Sequence, residues 1–230
     1  MPVLALDTSA AVAVALLDDS GAVLAARSDD QPRHHAELLA PMVAAVLADA
    51  GVDRTDLTSV VVGTGPAPFT GLRVGLVTAR TLALALGVPA LGVPSLDAIG
   101  ASASRVLAPG STVLVATDAR RREVYWSLYR VTGPGEVDVL VAPEVAAPAD
   151  VAADERVAGA AVVGRGALLH PVLGVADPDL DAHGLLDPDP VELAALARLR
   201  ASRGAELPTA PLYLRRPDAV PSAARKRVLG

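Results

Sequence analysis

The part of the chain that most restricts its fold is a strand, a glycine- and proline-rich loop and a helix that follow one another directly. The strand runs from Leu57 to Val62 and is rich in valine, and the loop runs from Gly63 to Gly71. The helix then continues to about Leu86 and is apolar almost all round, before Gly87 ends it. A helix as apolar as this one needs to be covered, either by its own domain or by another chain.

The rest of the chain predicts further strands and helices. In the first half we expect a meander of three strands and a helix, at Val3–Leu6, Ala11–Leu17, Ala22–Ala26 and about His35 to Asp49. In the second half we expect three strands and a helix, at Thr112–Thr117, Glu123–Val131, near Ala161–Val163 and at Val191–Ala201. The Ala- and Pro-rich stretch from Val141 to Asp150 predicts a loop. A change in texture after Gly100 places the domain boundary there, which gives lobes of residues 1–100 and 101–230.

Composition excludes several kinds of chemistry. The chain has no cysteine, so disulfides, Fe–S clusters, thiolate zinc sites and a thiol nucleophile are excluded. Its only lysine, Lys226, lies near the end, which leaves no P-loop or Schiff-base lysine in the body. The four histidines contain no His-x-x-x-His pair, so no metal site is predicted. A net charge of −6 argues against a broad phosphate-binding face.

Targeting signals are not predicted. Ala10–Leu17 is apolar, but no basic region precedes it, so it does not resemble a signal peptide. The uncharged run from Thr81 to Leu96 is too short for a membrane span. We therefore expect a cytoplasmic protein with no membrane partner.

Two loops are candidates for binding an anion. Gly63 to Arg73 presents a helix N-terminus, which favours anions, but it matches neither a dinucleotide fingerprint nor a P-loop. A tight connection between strand and helix explains the same residues. Asp7-Thr8-Ser9 ends the first strand in the way that actin-like ATPases hold metal-bound phosphates, although Thr8 stands where those proteins usually have glycine. We interpret it as a vestigial phosphate site, with a turn-capping aspartate as the alternative.

Basic residues cluster twice, at Arg120–Arg122 and in the C-terminal tail. The tail carries Arg215, Arg216, Arg225, Lys226 and Arg227. Either cluster is suited to phosphate or to an acidic partner, whereas short basic clusters in an acidic protein are commonly solvated or salt-bridged. The tail, with a single nearby acid at Asp218, is the better candidate.

Read together, five segments resemble the TsaB family, and they span nearly the whole chain. In order, they are Val3–Ser9, His35–Leu39 with Pro41, Gly63–Gly75, Asp118–Tyr125 and Pro211–Arg215. The Phe69–Arg73 segment is specific to that family. One departure is Ala67-Pro68, where the family usually has Gly-Ser, and it stiffens the loop.

The resemblance implies an α/β actin-like ATPase (ASKHA) fold with two lobes, each a mixed β-sheet flanked by helices. It also implies a non-catalytic dimerisation subunit of the machinery that makes N6-threonylcarbamoyladenosine at position 37 of tRNAs reading codons that begin with A. The paralogue TsaD would hold the metal and carry the transfer, and the ATPase TsaE would join the complex. ATP and the metal ion are then expected in the partner subunits, with no cofactor in this chain, and tRNA is expected to be reached mainly through the complex.

The same resemblance implies that the two helices of the N-terminal lobe pair with TsaD, or with a second copy when TsaD is absent. The predicted interface residues are Leu39, Met42, Val43, Val46, Leu72, Arg73, Leu76, Arg80 and Ala83. The alternative is that both helices are core helices that cover a sheet.

Two other functions stay open. A stand-alone actin-fold ATPase or small-molecule kinase would use Asp7, and isolated nucleotide binding would reveal it. A glycoprotease-like peptidase would need metal-binding histidines that the sequence does not present at the required spacing.

Overall fold

A computed structural model describes residues 2–29, 35–174 and 183–215, and it contains two mixed β-sheets. The first sheet has five strands in the order β3-β2-β1-β4-β5. Their bounds are β1 Val3–Asp7, β2 Val12–Leu17, β3 Val23–Asp29, β4 Ser59–Gly63 and β5 Ala90–Val93. The first three strands form an antiparallel meander, and β1, β4 and β5 run parallel.

Helices cover both faces of the first sheet because side chains alternate along its strands. Leu4 and Leu6 of β1 face helices α1 (His35–Ala50) and α2 (Phe69–Leu86). Ala5, between them, faces α3 (Ser95–Ala103) and α6 (Pro190–Ser202) on the other side. The small Ala5 side chain lets that second helix layer approach closely.

The second sheet has four strands in the order β8-β7-β6-β9. Their bounds are β6 Thr112–Asp118, β7 Val124–Gly133, β8 Glu136–Ala146 and β9 Ala161–Val163, and two short helices follow as α4 (Pro148–Ala152) and α5 (Arg165–Leu169). Its core holds Trp126 and Tyr129, which are fully or almost fully buried. These two rings supply bulk that alanine and valine alone would not provide.

The predicted lobe of residues 101–230 needs correction. Strands β6 to β9 do lie after residue 100, but α6 returns to the first sheet and packs against its strands. A buried network fixes this return: Arg200 Nη2 donates to Asp97 Oδ2 at 2.6 Å, and the Tyr129 hydroxyl donates to Asp97 Oδ1 at 2.8 Å. Asp97 on α3 thereby joins α6 to the second sheet.

The loop predicted at Val141–Asp150 is also wrong. Strand β8 extends to Ala146, and α4 begins at Pro148. Valines alternate along the first part of β8, at positions 137, 139 and 141, although most of the strand is exposed or half-buried, and its backbone pairs with β7. Sequence analysis also missed β5 and α3, since the four residues of β5 lie between two prolines.

Candidate functional site

The loop after β1 holds the aspartate predicted to belong to a vestigial phosphate site. Asp7 is only 1% exposed. Its Oδ1 accepts hydrogen bonds from the amide and the hydroxyl of Ser9 at 2.7 and 2.6 Å, and its Oδ2 accepts one from the Ser95 hydroxyl at 2.6 Å. The Ser95 hydroxyl in turn accepts a bond from the Gly65 amide at 3.0 Å. The carboxylate therefore ties β1 to α3 and to the loop after β4.

Gly63 is needed for this arrangement. A Cβ atom at Gly63 would lie 1.7 Å from Asp7 Oδ2, far inside contact distance. The close approach also excludes water, and the resulting desolvation raises the pKa of Asp7 to about 6, against a smaller lowering by the hydrogen bonds from Ser9 and Ser95. Asp7 is thus a buried structural carboxyl that takes up a proton near neutral pH.

Thr8 faces the opposite way, towards α2. It is buried, and its hydroxyl donates to the Gly71 carbonyl at 2.8 Å and accepts from the Gly75 amide at 3.1 Å. Gly71 and Gly75 are four residues apart, so Thr8 bridges a carbonyl and an amide of one helical turn. Of the three predicted residues, Thr8 and Ser9 line the space between the lobes, while Asp7 points into the protein.

An interlobe cleft of about 780 Å³ opens beside this loop. Its first wall is formed by Thr8, Ser9 and the start of α2, and its second wall by Thr117, Asp118, Arg120, Tyr125, Arg165 and Asp187. Arg165 and Asp187 form a bidentate ion pair there, at 2.7 and 2.6 Å. These charged and hydroxyl groups stand on a lining that is otherwise mostly apolar. Within residues 2–29, 35–174 and 183–215, no group of three or more histidine or acidic side chains is arranged to hold a metal ion.

The predicted interface residues on α1 and α2 divide into three groups by burial. Six of them, which are Leu39, Val43, Val46, Leu72, Leu76 and Ala83, lie in the core between these helices and the first sheet. The apolar stripe that drew attention to these six is the stripe that covers the sheet, so within this chain they support the two helices from inside, and their part in an interface stays a prediction. Met42 is half-buried beside the same core. Arg73 and Arg80 are exposed.

The outer face of α2, defined by Val77 and Leu84, is the surface that sequence analysis missed. Val77 is 61% exposed and Leu84 is 84% exposed, and only five of the 18 residues of α2 are buried. The signal for this face was the apolar character all round the helix. By length and composition α2 would also suffice to cross a membrane, with a mean hydropathy of 1.3, but its inner face packs against the first sheet.

Arg73 and Arg80 hold the end of the described chain, residues 207–215, which we call the C-terminal strap. Arg80 Nε donates to Thr209 Oγ1 at 2.8 Å, and Arg73 Nε donates to the Tyr213 hydroxyl at 3.0 Å. The strap also bonds to the first sheet and its loops, since the Gly92 amide of β5 donates to the Leu207 carbonyl at 2.9 Å and the Leu212 amide donates to the Thr64 carbonyl at 2.9 Å. The two arginines are thus occupied with their own chain, which revises their role in the predicted interface.

The strap ends at the hairpin between β6 and β7. Arg215 Nη1 donates to the Ala119 carbonyl at 2.8 Å, and the Arg215 guanidinium forms an ion pair with Glu123. The hairpin itself contains the arginine turn, Arg120–Arg122, whose φ angles are 61°, 54° and 63°. The other predicted basic residues of the tail, from Arg216 onward, lie outside the described residues, as does the side chain of His35.

The chain is similar in sequence to proteins of known families. The family model described as TsaD, tRNA N6-adenosine threonylcarbamoyltransferase, matches residues 23–169. The chain is 37% identical over 152 residues to the tRNA threonylcarbamoyladenosine biosynthesis protein TsaB of Escherichia coli, covering 63% of this chain and 64% of that protein. An uncharacterized protein of Mycobacterium tuberculosis is 43% identical over 208 residues, covering 87% of this chain and 84% of the relative.

A solved structure is similar to this chain along almost its full length. YeaZ from Pseudomonas aeruginosa superposes with a TM-score of 0.75 and 32% sequence identity, covering 93% of this chain and 99% of that one. The two-lobed arrangement described above is therefore shared over nearly all of both chains.

Proposed function

The chain belongs to the TsaB family and takes part in the biosynthesis of threonylcarbamoyladenosine in tRNA, and we propose that it does so as a non-catalytic subunit that pairs with TsaD. In this proposal TsaD carries the transfer chemistry, and the pair completes a composite surface for TsaE and tRNA. Because tRNA modification is a cytoplasmic process, we propose that the chain works there.

The observation that carries the proposal is the outer face of α2. This helix has an apolar composition on both sides, yet only its inner side is covered by the first sheet. Val77 and Leu84, seven residues apart, lie two helical turns from each other on the uncovered side. Large exposed apolar side chains grouped in this way mark an interaction surface. Covering them with another helix pair would remove apolar area from water at about 25 cal/mol per Å².

The family points to TsaD as the occupant of that face. A chain whose own fold matches the TsaD family model can meet TsaD through equivalent helices, as two halves of a pseudo-symmetric pair. The same face would pair with a second copy of this chain when TsaD is absent. We propose the homodimer as that default state.

The non-catalytic role is supported by the loop after β1. In that loop the Asp7 carboxylate is already satisfied by Ser9 and Ser95, and Thr8 is engaged with α2. Neither group is available to a metal-bound phosphate without rearrangement. We propose that ATP and the metal ion bind to the partner subunits.

The test is to mix the purified chain with TsaD and to follow co-migration in size-exclusion chromatography. We expect a heterodimer that forms at the expense of the homodimer. Two separate peaks at micromolar concentrations of both proteins would contradict the proposal. Transfer of the threonylcarbamoyl group to tRNA by TsaD and TsaE, with and without this chain, measures its contribution to activity.

A second candidate function, nucleotide binding by the isolated chain, is favoured by the interlobe cleft. Its volume is about 780 Å³, and the Ser9 hydroxyl and the Arg165 guanidinium on its walls are groups that can donate hydrogen bonds to a nucleotide phosphate. Calorimetry with ATP and magnesium tests it. Binding in the micromolar range that Arg165→Ala abolishes would support the second function, and no heat of binding would reject it.

A further inference from the structure

We propose that the arginine turn, Arg120–Arg122, together with Tyr213 of the C-terminal strap, contacts the phosphate backbone and an unpaired base of RNA. This inference rests on the proposed function in one respect, because tRNA is the RNA that the complex would present. The contact itself is argued from the surface of this chain.

The backbone of the turn is the first observation. Three consecutive arginines have left-handed φ angles of 61°, 54° and 63°. Residues other than glycine rarely adopt this backbone conformation. The turn is held there by local bonds: the Arg120 amide donates to Asp118 Oδ1 at 2.7 Å, and the Glu123 amide donates to the Arg120 carbonyl at 3.0 Å. Glycine would fit these positions without strain. Strained backbone held in place by its surroundings is typical of functional sites.

The charge around the turn is the second observation. Five arginines lie on this surface, Arg120, Arg121, Arg122, Arg73 and Arg215, against the two carboxylates Asp118 and Glu123. Arg120 pairs with Asp118 at 3.1 Å and Arg215 pairs with Glu123, so the five guanidinium groups outnumber the two carboxylates by three. A chain with a net charge of −6 therefore carries one locally positive surface here.

Aromatic side chains beside the turn distinguish RNA from other anionic partners. A groove of about 140 Å³ runs between Phe69, Arg120, Arg121, Tyr213 and neighbouring residues. The Phe69 and Tyr213 rings lie 4.9 Å apart, and the Arg73 guanidinium lies 3.3 Å from the centre of the Phe69 ring. Tyr213 is 42% exposed, so part of its ring is available for stacking. Arginine forks that bind phosphate beside an exposed ring that stacks on a base are the usual elements of contacts with unpaired RNA.

The experiment measures RNA binding by the full chain. The probe is a fluorescently labelled tRNA transcript, followed by anisotropy at several salt concentrations. We expect Arg121→Glu/Arg122→Glu to weaken binding about tenfold or more and to flatten the salt dependence, because phosphate contacts are lost. The matched control is Arg54→Glu/Arg130→Glu, which makes the same change in net charge at exposed arginines elsewhere and should bind within about threefold of wild type.

Further variants keep the test independent of folding. Arg121→Lys/Arg122→Lys retains the charges and should keep most of the affinity. Tyr213→Ala should weaken binding of tRNA more than binding of a duplex RNA of equal length. Tyr213→Phe keeps the ring and should bind tRNA with nearly the affinity of wild type. Unchanged thermal unfolding of these variants shows that the fold is intact.

Two outcomes would overturn the inference. One is tRNA binding by the double glutamate variant at the level of the control. The other uses polyglutamate as a second probe, a mimic of an acidic protein. If the double glutamate variant loses binding to polyglutamate but keeps binding to tRNA, the turn would be assigned to an acidic protein partner. Co-migration of the same variants with TsaD is measured in parallel: if TsaD pairing fails for wild type while tRNA binding depends on the turn, the proposed function fails and the inference stands.

Discussion

The Gly75 amide of α2 donates a hydrogen bond to the Thr8 hydroxyl, across 3.1 Å, from a helix to the loop after the first strand. The same hydroxyl donates to the Gly71 carbonyl one turn earlier. In an actin-like ATPase this loop would approach a phosphate, and there the position of Thr8 is usually glycine. Here the Thr8 side chain fastens α2 to the loop after β1, which would hold the helix in place for the docking proposed above.

The contact between Thr8 and Gly75 predicts strong coupling between the two positions. Alanine is normally better than glycine in a helix by up to about 1 kcal/mol, but a Cβ at Gly75 would lie 2.4 Å from Thr8 Oγ1. We therefore expect Gly75→Ala alone to destabilise the fold by about 1–2 kcal/mol. Thr8→Ala/Gly75→Ala should recover at least about 1 kcal/mol of that loss in a double-mutant cycle measured by urea unfolding. Additive effects would show that the two residues are not in contact.

The buried Asp7 predicts a specific dependence of stability on pH. Its pKa in the folded chain is about 6 against an ordinary value of 3.8, so folding favours the protonated form. Its stabilising contribution is complete below pH about 4 and is lost as pH rises through about 6. Asp7→Asn stays neutral, so the unfolding free energy of the variant relative to wild type should rise between pH 4 and 7, by on the order of 3 kcal/mol. Urea unfolding at a series of pH values measures this difference.

Asp18→Asn provides the control of opposite sign. Hydrogen bonds from Ser20 and the Ala22 backbone lower the pKa of Asp18, which is exposed. Its contribution is therefore present at neutral pH and is lost as pH falls below about 4. A pH profile for Asp7→Asn that runs parallel to wild type from pH 4 to 7 would mean that Asp7 is ionised in the fold throughout.

Local patterns predicted the first half of the chain well. The strands β1 to β4 and the helices α1 and α2 begin and end within about three residues of expectation, because apolar runs between turn residues mark the strands and a helical period marks α1. Helix α2 ends as predicted at Gly87, whose φ of 67° is left-handed. Strand β8 was missed although Val137, Val139 and Val141 alternate along it, because its second half is rich in alanine and proline and its pairing with β7 is not a local feature.

The candidate site was less predictable, and the interface shows why. Periodicity identifies the apolar stripe of a helix but does not say what covers it. It selected Leu72 and Leu76, which the first sheet covers, and passed over Val77 and Leu84, which lie off the stripe. The strap depends on contacts between residues more than 120 positions apart, such as Arg73 with Tyr213, and no local pattern reports those.

Charge on the outer face of α2 should separate pairing from folding. We expect Val77→Glu/Leu84→Glu to weaken association with TsaD, and self-association, by at least about a hundredfold, because both side chains would be desolvated in the interface. Thermal unfolding should change little, since both residues are exposed. Sedimentation velocity of the mixture at several concentrations measures the association.

Two variants complete that comparison. Val139→Glu places one charge on exposed β8 and should leave both association and folding intact. Leu76→Glu buries a charge in the core and should unfold the chain, with a loss of several kcal/mol. Full association by Val77→Glu/Leu84→Glu would assign the docking surface to another part of the molecule.

Replacing Arg122 of the arginine turn by glycine should raise the free energy of unfolding. A left-handed conformation costs a residue with a Cβ about 1–2 kcal/mol, and glycine avoids that cost while losing more entropy on folding. Arg122 has a φ of 63°. The Arg122→Gly substitution should therefore stabilise the fold by about 1 kcal/mol and raise Tm by about 2–4 °C in a chain of this size. Differential scanning calorimetry measures the change.

Arg122→Ala separates this strain from charge repulsion among the arginines. Both variants remove the guanidinium, but alanine keeps the Cβ and with it the steric cost of the left-handed backbone. We expect Arg122→Gly to be more stable than Arg122→Ala by about 1 kcal/mol. Equal stability would mean that the backbone of the turn carries no strain, and the contrast in RNA binding would then have to rest on charge alone.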